Sequence, residues 1–399
     1  MSKNKFIRII LFFVILSGVG FYQPIGLSDE LAKLFYYVAC LLFVWIVALK
    51  KQHVMSHYSI FSTEYTLILI GIISSVFMSF FYQNQPFLIG VMTTIPSFTY
   101  ALYFVLKKSD VQKSLIEKYI FVFAVLGMLI MLVNLLSFPN IIFGQADIDI
   151  DRAGIRIRIP GFSFICLGFF LFIYKYHLTS KKKWILLSIV SYIFILLSLT
   201  RQVILVATIL GCWFVFSPLK LFKRVIVIVS IATVFFLVFP HIEFAKKMLT
   251  LTQEQIYSNK HQQEDVRLGA WRFYTTELQP NIATHILGCG VPSAGNSEYG
   301  SRIEKEWEST RYFAVDVGYA GFYFYFGAIA TIGLVILLVK GSFFNKRKKD
   351  IYANYYLLTI LITSFASGPI LYYDSIIAIV LSTYILTIRN DNRNCNYKL

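Results

Sequence analysis

Residues able to do polar chemistry are sparse in this chain, and they gather in a few places. Arg201 sits between two apolar runs, in Thr200-Arg201-Gln202. An arginine and tryptophan stretch follows at Asp265-Val266-Arg267-Leu268-Gly269-Ala270-Trp271-Arg272, then a glycine turn, Gly288-Cys289-Gly290, just after His285. Arg311 and Asp316 close the group, with Tyr319 beyond them. A guanidinium is a permanent cation whose planar fork of donors fits an oxyanion in bidentate fashion. Aspartate and histidine are the groups that exchange protons with a hydroxyl. Earlier, Asp147, Asp149 and Asp151 alternate with isoleucines and are followed by Arg152, Arg156 and Arg158. Such carboxylates can draw a divalent cation, but the glycine and glutamate of an EF-hand are missing, and three arginines can neutralise three acids.

The scaffold that must position these residues is almost wholly apolar. Of 399 residues 57% are hydrophobic and only 15% charged, with mean hydropathy +0.66, which departs from a soluble domain on every count. The excess falls in runs long enough to cross about 30 Å of hydrocarbon. The chain reads as an all-α polytopic membrane protein with twelve spans: 6–22, 31–49, 65–82, 86–106, 119–137, 161–177, 184–200, 202–217, 225–240, 314–339, 353–370 and 373–388. Three regions result: 1–240 with spans one to nine, a polar loop at 241–312, and 313–399 with three spans and a tail. The first run lacks a small-residue cleavage site and reads as a span rather than a signal peptide.

Lysine and arginine set the orientation. With the N-terminus in the cytoplasm and strict alternation, inside segments hold 24 of the 37 basic residues against five acidic ones. Outside segments hold 13 basic and 16 acidic residues, so the net +16 is a topology signal and not a nucleic-acid footprint. Both termini are then cytoplasmic and the 241–312 loop external. Residues 184–217 would make a helix of about 51 Å, too long for one crossing, and both flanks are basic. They read as a hairpin with Arg201 at its outer tip, where a charge is costly unless paired, used or snorkelling to the headgroups.

The external segments carry local patterns. Alternating isoleucine and charge within 138–160 predicts a short amphipathic strand. Residues 241–259 pattern as a helix lying along the interface, and 264–278 as a second helix. From Leu287 to Ser301 the glycines predict a flexible rim with exposed backbone. Glu304, Glu306 and Glu308 read as a solvated face, and Asp316 as an N-cap of span ten, where Gly318 and Gly321 admit close neighbours. Cys40, Cys166 and Cys212 fall in spans, Cys395 inside and Cys289 outside, which leaves no disulfide pair and no metal-ligand spacing.

Three features taken together resemble a family: a hairpin-tip arginine, a large external loop after span nine, and the motifs that follow. The motifs are Arg-x3-Trp at 267–271, Ile-Leu-Gly-x-Gly at 286–290, Asp-x-Gly-Tyr-x-Gly at 316–321 and Phe326-Gly327-x3-Thr331-Ile332-Gly333. This arrangement is similar to the Wzy-type polymerases of O-antigen and capsule and to the related O-antigen ligases. The resemblance implies a GT-C-like multispan fold in the bacterial inner membrane. It implies transfer of a growing glycan from undecaprenyl pyrophosphate onto the next lipid-linked repeat unit, with no cofactor and no metal. Implied partners are the lipid-linked donor and acceptor, the bilayer, and the chain-length regulator and flippase of the same pathway. On this reading Arg201 and Arg267 clamp the pyrophosphate, with Arg272 and Arg311 in reserve. Asp316 is the first candidate for general base, with His285 and Glu298 behind it. Trp271, Tyr299 and Tyr319 are placed to stack on sugars, and the 138–160 loop with Arg156 and Arg158 contributes to specificity.

Related ligases carry a histidine near the start of the span after the loop, where this chain has Asp316-x-Gly-Tyr, so the polymerase is favoured. A repeated arginine motif seen in some polymerases has no match in spacing here. The rival class is a transporter or lipid-linked oligosaccharide flippase. Transporters are commonly built from two repeated halves, and this chain shows no internal repeat and few charges in mid-span.

Overall fold

Without water to satisfy it, backbone within hydrocarbon must bond to itself, so long apolar runs become helices. The computed structural model describes residues 3–20, 60–140, 142–143, 148–149, 156–157, 161–198, 200–226, 229–230, 266–344 and 350–395. The expected span at 31–49, most of that at 225–240, the interfacial helix at 241–259, and Arg158 lie outside the described residues.

Helix α1 is Lys3–Val19, α2 is Ser62–Gln83, and α3 runs over Phe87–Ser109 with a tighter 3-10 stretch at Ile95–Ala101 around Pro96. Lys113–Leu136 forms α4, Phe162–Thr179 α5, Lys182–Leu197 α6 and Arg201–Val215 α7. The loop region supplies α8 (Val266–Arg272), α9 (Ile282–Leu287) and α10 (Glu298–Thr310). Gly318–Phe343 is α11, Ile351–Thr363 α12 and Tyr373–Cys395 α13. Five of these are long and apolar enough to cross a membrane, and four more apolar helices are shorter. The protein is an all-helical, polytopic membrane protein.

Most expected spans match a helix to within a few residues at each end. The exception is 353–370, where helix stops at Thr363 and the chain turns through Gly368-Pro369. Its carbonyls are not abandoned: Gly318 N–H donates to Ser367 O (3.2 Å) and Tyr319 N–H to Ser364 O (3.0 Å). Gly318 has room for this because a Cβ there would stand 2.2 Å from Ser367 O. Turns between helices use left-handed residues where the chain reverses, as at Asn84, Asp110 and Ser180.

The α6–α7 hairpin forms as its length demanded. Tyr192 and Thr208 join their hydroxyls across it, equally far from the tip at Thr200. The 138–160 segment holds a minimal antiparallel pair, β1 (Ile148–Asp149) and β2 (Arg156–Ile157), with Asp149 opposite Arg156. Asn134 at the end of α4 holds the chain leading to it, accepting from Phe143 N–H (3.0 Å) and donating to Phe143 O (2.7 Å).

Helix α5 and the apolar part of α13 are the most enclosed and form the centre of the core. Exposed rings and aliphatics such as Phe77, Phe81, Leu88, Leu132 and Ile189 line the outer faces of α2, α3, α4 and α6, as a lipid surround requires. Tyr65 stacks on Tyr103 at 4.3 Å, and their hydroxyls reach Thr383 and Thr387. At one end Glu64 pairs with Lys340 (2.6 Å), and Glu117 with Lys113 (3.3 Å) and Lys175, while Lys113 also meets Asp350. At the other end lie Gln85, Ser163, Asp374, Gly318 and the loop helices.

Candidate functional site: a cap on a broken helix

Helix α11 is interrupted at Gly327, whose φ of 76° and ψ of −179° suit only glycine. The break frees carbonyls above it, and the loop uses them: Cys289 N–H donates to Phe324 O (2.8 Å) and Gly290 N–H to Tyr325 O (2.9 Å). The approach is backbone against backbone. A Cβ on Gly327 would stand 2.3 Å from Ile286 O, and one on Gly288 (φ 85°) 2.4 Å from Tyr325 O. On the other side Gly290 touches Ser75 and Ser79 of α2. The Ile-Leu-Gly-x-Gly and Phe-Gly motifs are therefore the two halves of one seam. Residues 288–290 are buried, which corrects the expected flexible, exposed rim. Glycine there serves close packing, because irregular backbone at this depth must be enclosed by protein.

Local capping aims α9 into the seam. Asn281 accepts from Thr284 N–H (3.0 Å) and completes a capping box. A second clamp comes from the turn between α2 and α3. Gln85, fully buried, donates to Val291 O (3.0 Å) and accepts from Ser293 N–H (3.1 Å) and the Ser297 hydroxyl (2.9 Å). Thr93 also donates to Val291 O (3.0 Å), and Arg302 donates to Gln83. Beneath the loop helices a separate apolar cluster forms around Phe273, Tyr274, Cys289, Tyr299, Ile303 and Phe324. Residues 266–317 are thus a folded cap with its own core, seated on α2, α3 and α11.

Trp307 donates to the Tyr274 hydroxyl (2.6 Å), which in turn donates to Tyr312 O (2.7 Å). Burial raises the Tyr274 and Tyr299 phenols above their usual range and pushes the Cys289 thiol up to about 12. Cys289 donates to Gln279 Oε1 (3.3 Å) and stays a neutral thiol near pH 7. It is no nucleophile.

The predicted site residues divide between inside and outside this cap. Arg267, Arg272, Arg311, Asp316 and Glu298 lie exposed on it. Arg272 pairs with Glu277 at 2.8 Å, both largely solvated. Arg311 occupies the left-handed region (φ 57°) as the C-cap of α10. Asp316 ends a short 3-10 turn, and Val317 is the N-cap of α11, so the expected N-cap role of Asp316 does not hold. The chain turns out once more, after Asp316, before the helix begins. His285, half-buried, shares a hydrogen bond with the Tyr323 hydroxyl through Nδ1 (2.7 Å). Glu304 and Glu308 face solvent as expected, whereas Glu306 is half-buried.

Aromatic residues sort differently from expectation. Tyr299 is buried and donates to Gly290 O (3.2 Å). Tyr319 is 5% exposed and donates to Leu361 O (3.0 Å), its ring edge-on to Phe365 at 5.1 Å. Trp271 lies stacked over the same Phe365 (6.4 Å) and donates to its carbonyl (3.0 Å). Phe365, 58% exposed, is the open ring of this group, whereas Tyr299 and Tyr319 are buried. Arg201 begins α7, which packs on α5, α6 and α12. Arg156 lies on β2.

Sequence reasoning passed over Gln85 and Phe365. Gln83-Asn84-Gln85, three consecutive amides between two apolar spans, was a readable signal for the first. Nothing in the local pattern marks the second. The chain matches no protein-family model and no curated protein.

Proposed function

We propose that this protein is a Wzy-type glycan polymerase. It joins undecaprenyl-pyrophosphate-linked repeat units at the outer face of the bacterial cytoplasmic membrane, on a twelve-span, GT-C-like scaffold with both termini cytoplasmic. The observation that carries the reading is the seam. The two glycine motifs of the resemblance meet as one packed unit, and the cap seated on it exposes Arg267, Arg272, Arg311 and Asp316. The leaving pyrophosphate gains negative charge as the glycosidic bond breaks, and pre-positioned guanidinium donors stabilise that charge. Asp316 accepts the proton of the acceptor hydroxyl, the Trp271–Phe365 surface holds sugar faces, and Arg201 meets the lipid pyrophosphate from the hairpin tip. Buried ion pairs among the described residues cluster at the end away from the cap, which disfavours an ion relay through the middle.

The test is deletion of the gene in its host and complementation with wild type, Arg201→Ala or Arg267→Ala, with surface glycan run on a gel. A ladder that collapses to one repeat unit on deletion, and is not restored by the arginine variants at normal protein levels, supports the polymerase. Loss of the single-unit product as well indicates a flippase. An unchanged ladder rejects glycan assembly.

A further inference from the structure

At the end of the molecule opposite the cap, a cavity of about 760 Å³ opens between α5, α7, the turn after it, and the junction of α11 with α12. Its volume is that of a small-molecule site. The walls are apolar: Leu178, Leu210, Trp213, Phe343 and Leu358 contribute to them. Two lining groups break the pattern. Arg224 stands over the Trp213 ring at 4.8 Å. It donates through Nε and Nη2 to the carbonyls of Phe216 (3.0 Å), Ser217 (2.6 Å) and Leu219 (3.1 Å), and among the described residues Nη1 has no acceptor. Asn354 is 6% exposed and donates to Phe344 O (2.9 Å) and Gly341 O, yet its buried Oδ1 has no hydrogen-bond partner among the described residues.

A buried acceptor without a donor costs stability unless something fills the place. The cavity's apolar walls and the open Nη1 of Arg224 ask for an apolar tail and an anion in one ligand. Its surroundings repeat the demand for an anion, since Lys181, Lys182 and Lys183 stand at the start of α6 and Lys220 and Lys223 follow α7, all exposed. Basic pockets between transmembrane helices recognise anionic headgroups. We propose that this cavity is a binding site for an anionic glycerophospholipid of the phosphatidylglycerol kind. Its phosphate pairs with Nη1 of Arg224, and an acyl chain lies along Leu210 and Leu358. The proposal does not depend on the glycan reading, because the cavity lies away from the cap.

The test is native mass spectrometry of the full chain, released from micelles containing equal phosphatidylglycerol and phosphatidylcholine. Wild type retains phosphatidylglycerol in preference. Arg224→Gln lowers that retention about fivefold, the share expected from one basic group near a headgroup. Because Arg224 also holds the carbonyls after α7, Leu210→Trp is the companion variant: it fills the cavity and leaves those bonds alone. Loss of bound phosphatidylglycerol in Leu210→Trp, with an unchanged melting temperature, supports the site. Equal retention of the two lipids by wild type, no retention of either, or full retention by Leu210→Trp overturns it.

Discussion

Gly327 and Gly288 touch through their backbones: a Cβ on Gly327 would stand 2.4 Å from the Gly288 amide nitrogen. One glycine breaks a helix and the other delivers a loop into the break, so neither motif has a structural meaning alone. The pairing explains how the 266–317 cap can hold polar groups in fixed register with the helices beneath it.

Gly288→Ala and Gly327→Ala should each destabilise the protein by more than the roughly 1–3 kcal/mol that a strained backbone conformation costs, since each also creates a backbone clash. The double variant should lose less than the sum, because both act on one seam. Thermal unfolding of the four proteins in detergent checks this. Full additivity would show that the two glycines are independent.

Gln85→Leu removes three hydrogen bonds that tie the cap to the α2–α3 turn and leaves buried partners unsatisfied, at about 1–3 kcal/mol for each group stranded. The expected result is faster hydrogen exchange and protease cutting across 291–297 while α4 and α5 keep their protection. Uniform loss of protection throughout would mean that the cap is not a separate unit.

Arg272→Ala and Glu277→Ala should shift stability by less than about 1 kcal/mol, because their ion pair is solvated on both sides. If Arg272 serves the proposed reaction, only its loss lowers polymer yield at constant protein level. Equal effects of both variants on the ladder would assign the pair a structural role.

Cys289 offers a readout of burial by pH. Its thiol is held up at about 12, so the stability it lends is complete below pH 9 and drains away as pH rises from there toward 12. In a variant keeping only this cysteine, N-ethylmaleimide at pH 8 should label the folded protein far more slowly than the denatured chain. Equal rates would show that the seam opens freely.

At equal protein level, Trp271→Ala with Phe365→Ala should shorten the glycan ladder if the two rings hold sugar. A full ladder would return these rings to a role in lipid contact.

The hairpin and the helices of those spans that fall among the described residues were legible in the amino-acid order because they are local. Hydropathy over some twenty residues decides a crossing, and two basic flanks around residues 184–217 allowed no single helix. The same is true of the helical stretch holding Trp271 and of the solvated glutamates on α10. Tertiary structure alone decided that residues 288–290 are buried against Gly327, that Tyr319 and Tyr299 turn inward, and that Gln85 clamps the cap. Each of these depends on a partner far away in the chain: a freed carbonyl, a neighbouring helix end, a loop amide. A glycine or glutamine looks the same in sequence whether its backbone or amide faces water or another segment, and only packing assigns the partner.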